Sequence, residues 1–412
     1  MSSVTVNSVP LVAPEVAQTI HQRSIGVGIL FGVVSLVTAL VPQTREQFFH
    51  SYLLGFMLWL GVALGSMAIL MIQHLTGGWW GMVIRRQLEA AMKTLPLMAL
   101  LFIPIVLGRH HLYVWTHPDV VAREPHLRDI TNSYLRIGGS PGYLFLNGYI
   151  GRAVVYFAVW LGLAFLLERW SREQDSPPVQ NLSPRFRTVA APGLILYAFS
   201  ISFAVIDWVM SLDPYWISTI YGFIFIVGEC LSALCFMVIV ERILVRYQPM
   251  ASLLKPKEVH DHGKLILTFV LLWAYFSFSQ LLIIWAGNLP MEIRFFTRRL
   301  NSGWQAIGLA LVIFHFGVPF LLLLSRALKR DVRTLVWLAS WLIFMRFVDL
   351  YWYIEPSFHK TVYLHPLDFL VPIAIGGFWL ALFFHNLRLR PLLPVYDMHG
   401  QEFLEYVGAS HA

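Results

Sequence analysis

The chain has 412 residues, of which 57% are hydrophobic and 13% charged, with a mean hydropathy of +0.64. That balance excludes a water-soluble enzyme, because such a chain could not keep so much apolar surface from water; it predicts an all-α integral membrane protein. The net charge of +7 is accounted for by loop cations and calls for no nucleic acid.

Ten apolar runs are long enough to cross a bilayer: 25–41, 50–73, 93–108, 149–167, 190–211, 219–241, 264–286, 303–325, 334–354 and 368–386. Residues 1–24 read as a polar cytoplasmic arm, 25–386 as the membrane domain and 387–412 as a cytoplasmic tail that docks a partner. The arm holds no compact apolar core of a cleaved signal, so the first span is expected to act as the insertion signal. That span carries Gly26, Gly28 and Gly32 and reads as peripheral. Pro96 and Pro104 interrupt the third. The loop over 109–148 contains His110, His111, His117, His126 and the Gly138–Gly142 turn cluster, and reads as an outer docking surface whose histidines pack rather than bind metal. The only cysteines, Cys230 and Cys235, share one run, too few for an iron-sulfur cluster. His50 and His74 lie at opposite ends of the second span, which does not suit haem. Redox metals are therefore expected in partners, and no metal site is assigned to this chain. Trp285, Trp352 and Tyr363, near span ends, read as an aromatic belt.

The informative stretch is Asp207-Trp-Val-Met-Ser-Leu-Asp213-Pro, in which an acid inside an apolar run precedes, by six residues, an acid followed by proline. The pattern returns 142 residues later as Asp349-Leu-Tyr-Trp-Tyr-Ile-Glu355-Pro. A weaker correspondence, at an offset of 167, matches Ser51, Gly55, Phe56, Gly61, Leu64 and Ile72 to Ser218, Gly222, Phe223, Gly228, Leu231 and Ile239. Together they predict two four-helix bundles, spans 2–5 (about 50–212) and 6–9 (about 218–355), in the same orientation about an axis along the membrane normal. Spans 1 and 10 are peripheral.

A charge in the hydrocarbon layer costs about 2.5–3.5 kcal/mol on insertion scales, so an intramembrane acid has a partner, a water cavity or a task. Asp207 and Asp349 are expected at matched depth, roughly 8 Å from the outer end at about 1.5 Å per residue. Arg346, Asp349 and Tyr353 share one helical face. Two readings stay open for these acids, a structural ion pair and a proton relay to the outer face. The relay would run by Asp207 and Asp213, and by Arg346, Asp349, Tyr353 and Glu355. Glu229 and His315, each in the middle of a span, are further candidates for passing protons.

With these blocks read out, the chain resembles a known family. Asp207 to Gly222, His260-Asp-His-Gly-Lys264, Trp273-Ala-Tyr-Phe-Ser-Phe-Ser-Gln280 and Ile284-Trp-Ala-Gly-Asn-Leu-Pro290 are similar to the ActF membrane subunits of bacterial alternative complex III, of the NrfD/polysulfide reductase C type. The departure is His262, where the family commonly has leucine. The resemblance implies a subunit of a quinol:electron acceptor oxidoreductase in the bacterial inner membrane, with menaquinol or ubiquinol as the quinol. It also implies a sister NrfD-like subunit, an outer-face iron-sulfur protein and c-type cytochromes as partners. In that family the sister subunit is the better placed for the quinol site. A stand-alone proton-coupled transporter and a scaffold without a redox or proton role are the alternatives. Co-purification with c-type haem separates the first from the complex.

Outside the runs, the N-terminus, the even loops and the C-terminus hold 17 Lys and Arg, and the odd loops hold 9. Cationic loops are retained in the cytoplasm, so both termini are predicted cytoplasmic. A reporter fused after Ala412 should be cytoplasmic and one inserted at Ser140 external. Reversal of both would overturn the orientation.

Overall fold

The computed structural model describes residues 14–133, 148–179, 181–300, 302–394 and 396–409. The Gly138–Gly142 cluster and the first 13 residues lie outside them. Ten helices are long and apolar enough to span a bilayer: α1 (Glu15–Leu40), α2 (Pro42–Thr76), α3 (Trp79–Leu107), α4 (Tyr149–Glu173), α5 (Ser183–Leu212), α6 (Tyr221–Leu244), α7 (Pro256–Gly287), α8 (Trp304–Leu324), α9 (Val332–Ser357) and α10 (Leu367–Arg388). The chain is an all-α, multi-pass membrane protein. Its described ends share one face, here called the terminal face, because ten crossings return the chain to its starting side.

The two central helices, α2 and α6, pack on each other and are almost wholly buried. Around them the neighbours repeat. α2 touches α3 and α5, and α4 touches α3 and α5; α6 touches α7 and α9, and α8 touches α7 and α9. The cross-bundle contact of α5 with α6 has its counterpart in α9 with α2. Peripheral α1 packs along α10, which packs on α2.

Bilayer lipid is as apolar as leucine, so helix association here depends on close packing. Gly61 and Gly65, one turn apart on α2, supply it: a Cβ at Gly65 would stand 2.1 Å from the carbonyl oxygen of Glu229 on α6. Gly28 of α1 meets Gly377 of α10 in the same way, a Cβ on the latter lying 2.5 Å from the Gly28 nitrogen.

Four expectations from the sequence need correcting. The polar arm is helical from Pro14, since Ala17 is buried and His21 lies 2.8 Å from the Ala381 carbonyl of α10. The tail folds back: Asp397 is buried against Arg85 at 3.0 Å, and Phe403 of the helix Met398–Ala409 packs on Trp79. α3 starts at Trp79 rather than residue 93, since its charges are paired inside the protein. Arg86 binds Glu89 at 2.7 Å and also Asp175, and Arg390 reaches Glu89 at 3.1 Å and Asp175 at 2.6 Å. Finally, α5 and α9 end differently. The α-helical part of α5 stops at Trp208 and that of α9 runs to Ile354, although each closes in a 3-10 turn, Met210–Leu212 and Glu355–Ser357.

Gly65→Val puts side-chain atoms into the backbone of α6 and should cost at least about 3 kcal/mol, the upper end for overpacking. Gly26→Ala, with nothing within 4 Å, should be neutral. Thermal denaturation of the detergent-solubilised protein checks the pair, and equal melting would overturn the close-crossing account.

Candidate functional site

The two bundles hold their membrane acids in different ways. Asp207 is fully buried at the end of α5, where Arg152 of α4 grips both carboxylate oxygens at 2.8 Å and the Tyr156 hydroxyl donates at 2.8 Å. Such a bidentate, charge-assisted pair satisfies the carboxylate completely. The space beside it is filled with rings, Trp208 touching Phe102 at 4.5 Å, Phe157 at 5.9 Å and Trp160 at 5.9 Å between centroids. The end away from the terminal face is closed by Tyr149, whose hydroxyl donates to Tyr113 at 3.2 Å, and by Tyr113, which donates to the Trp208 carbonyl at 3.0 Å. Tyr113 lies outside the spans, and burial pushes its phenol far above the ordinary range.

Asp349, also fully buried, is paired with Arg346 of its own helix and accepts a longer hydrogen bond, 3.4 Å, from the Trp273 indole of α7. Its Oδ1 has no hydrogen-bond partner among the described residues. The Arg346 guanidinium lies 5.1 Å from the Phe225 ring centroid and against Gly228, where a Cβ would be 2.3 Å from it. It acts electrostatically on three buried groups at once, Asp349, Glu229 and His315. Glu229 of α6 accepts at Oε2 from the Tyr197 hydroxyl of α5 at 2.6 Å, while its Oε1 has no hydrogen-bond partner among the described residues. No local pattern predicts that partner, which comes from the other bundle.

His315 is buried, with its ring 4.3 Å from that of Trp273, and neither ring nitrogen has a partner among the described residues. It sits in a π-helical stretch, Leu311–Gly317, that interrupts α8. The extra residue per turn rotates the ring inward, and such bulges are frequent at functional sites.

Next to this cluster lies a cavity of about 710 Å³; beside Asp207 in the first bundle, aromatic rings are packed instead. Its inner wall is Trp273, Gln280, Arg299, Asp349, Tyr353 and Trp352. Its rim carries the exposed side chains Tyr275, Phe278, Leu309 and Val312, so it opens sideways to the lipid. Trp352, expected in an aromatic belt, is cavity wall instead; exposed Trp285 and Tyr363 do lie at the surface.

Arg299 was not legible in the sequence. It ends the amphipathic helix Pro290–Arg299 and donates to the Trp352 and Tyr353 carbonyls, both at 3.0 Å, so it caps the exposed carbonyls near the end of α9. Burial pulls its guanidinium down to about 10, leaving it charged at neutral pH.

The remaining candidates lie apart. Asp213 is at the face opposite the termini, between Arg298 at 3.2 Å and Arg294 at 3.7 Å, a pairing with partly exposed arginines rather than the next step from Asp207. Tyr353 shares the cavity wall with Asp349. Glu355, one turn beyond, turns away from the cavity towards α2, beside His50 and His359. His262, the departure from the family motif, is buried between Glu241 of α6 at 3.1 Å and the Trp80 carbonyl at 2.8 Å. In the long loop, His111 stacks on Phe49 and His126 on Tyr215.

No family model matches the chain, and no curated protein compared with it is significantly similar.

Proposed function

We propose that this chain is a membrane subunit of a quinol:electron acceptor oxidoreductase, and that it takes part in quinol oxidation by accepting protons at Asp349. The observation that carries the reading is the lipid-open apolar cavity with an incompletely bonded carboxylate at its inner end. A lipid-dissolved quinol is an apolar tail with one ring bearing two hydroxyls. The rim suits the tail, and Asp349, Gln280 and the Trp273 indole are the polar groups the ring would meet.

Oxidation of the quinol releases two protons and two electrons. Asp349 Oδ1 is a free acceptor that takes the two hydroxyl protons in turn, passing the first on before it accepts the second. Arg346 pairs with the carboxylate, and its shared position beside Glu229 and His315 gives a proton further stations within the bundle. This chain's part is to bind, orient and deprotonate. The electrons go to a partner, which the sequence resemblance identifies as an iron-sulfur protein beside c-type cytochromes. The same resemblance favours the sister subunit as a quinol site, and the cavity gives this chain a claim of its own.

The orientation of the termini towards the cytoplasm belongs to the same proposal. It sets the Asp349 cluster nearer the outer face, where protons from quinol oxidation would leave.

Asp349→Asn should lower quinol oxidation by about 10²-fold or more, the usual scale for losing a positioned base, while the assembled complex is retained. Val312→Trp, on the rim, should raise the apparent KM for quinol with less effect on kcat. An assembled complex with unchanged turnover in both variants would overturn the reading in favour of a scaffold. A protein that purifies alone, without c-type haem absorbance, and moves protons in vesicles would favour transport.

A further inference from the structure

A second group of titratable side chains sits at the face opposite the termini, on the other side of α9 from the cavity. Glu355 lies in the 3-10 turn Glu355–Ser357 that closes α9. The backbone N–H of His359 bonds the Glu355 carbonyl at 3.0 Å, which carries both side chains to one side of the turn. His50, near the start of α2, meets them. The ligating atoms of His50, Glu355 and His359 all lie within 4.8 Å of one another.

Glu355 is fully buried, and neither carboxylate oxygen has a hydrogen-bond partner among the described residues. A buried carboxylate in that state costs several kcal/mol unless it is protonated or a cation completes it. The two imidazoles fit a cation. The Glu355 Oε2 to His359 Nε2 separation is 3.7 Å, close to the about 3.3–3.5 Å edge of a tetrahedron with bonds near 2.0–2.1 Å. The surroundings orient the ligands as an outer shell does. His50 Nε2 is 3.3 Å from the His111 carbonyl, which leaves Nδ1, buried and unpartnered, free to ligate. The His50 ring is clamped flat on Phe358 with centroids 3.5 Å apart. On the far side, Gln47 Oε1 lies 3.3 Å from the same His359 Nε2, so a cation at that nitrogen takes the place of the proton that Oε1 accepts, and the Gln47 amide nitrogen is fixed by donating to Asp368 at 2.8 Å. Asp368 is itself satisfied, by Ser51 at 2.6 Å and the His365 N–H at 2.9 Å, and adds a fixed negative charge beside the group. The His359 side chain is 26% exposed, which gives an ion a way in from that face.

We infer that His50, Glu355 and His359 form a binding site for a divalent first-row transition cation of the zinc class, which ties the start of α2 to the end of α9. Two imidazoles and one carboxylate are the ligands such ions prefer; calcium and magnesium would demand more oxygens than the site offers. Three protein ligands leave a fourth position for water. This site is separate from the cavity and does not depend on the quinol reading.

The test uses the full-length protein in detergent, stripped with chelator and titrated with Zn²⁺ against a chromophoric competitor. The unmodified chain should bind one equivalent and melt at a higher temperature with zinc than without. His359→Gln and Glu355→Gln should each weaken binding by about 100-fold or more. The double variant His110→Gln/His117→Gln, on the neighbouring loop, should bind as the unmodified chain does. Should Glu355→Gln fail to fold, His359→Gln decides, since its side chain is partly exposed and its variant is checked by gel-filtration profile and helical circular dichroism. No saturable binding would overturn the site and leave Glu355 a neutral acid. Binding that survives both ligand variants, or is lost with the loop pair, would overturn it in favour of adventitious histidines.

Discussion

The structure depends on one constraint: a charge carried into the middle of a helix bundle must be met by partner groups there. Arg346 meets it on behalf of Asp349 and Glu229, from a guanidinium laid against Gly228 and the face of Phe225. A single cation beside two acids leaves the group short of full neutralisation; the Tyr197 hydroxyl and the Trp273 indole each supply one donor, and one oxygen of each acid stays without a partner among the described residues. Removing one member of such a network strands the others in a low dielectric, so its members stand or fall together. That five helices contribute to it, α5 to α9, makes it a fastener of the second bundle as well as a candidate site.

The two bundles share a neighbour pattern and have diverged in what fills them. In the first, Arg152 saturates Asp207 and aromatic rings occupy the space alongside. In the second, the cation comes from the acid's own helix, the acid is incompletely bonded, and an open cavity replaces the rings. A saturated ion pair is a poor proton acceptor, because protonation must break it. Under the proposed function this asymmetry gives the first acid a structural part and the second the chemical one.

A different use of charge holds the terminal face. Arg85, Arg86 and Arg390 bind Glu89, Asp175 and Asp397, drawing together α3, the α4–α5 connection and the segment after α10. The Arg390 and Asp397 pairs fix the described part of the tail on the bundle.

The ten spans, the all-α class and the buried standing of Asp207 and Asp349 were legible in the sequence, because hydropathy and the cost of an intramembrane charge are local properties. The pairing of α5 with α9 was visible for the same reason, as an acid, a fixed spacing and a proline. The tertiary structure alone decided the partners. Nothing near Glu229 announces Tyr197, nothing in the Pro290–Arg299 segment announces that Arg299 will cap α9, and the convergence of His50 with Glu355 joins residues some 300 positions apart. The start of α3 was misplaced because isolated charges read as the edge of the membrane, whereas paired ones can continue inside it. Local composition fixes where a chain can cross a bilayer; which polar groups meet there depends on how the helices pack, and that is set by contacts distant in sequence.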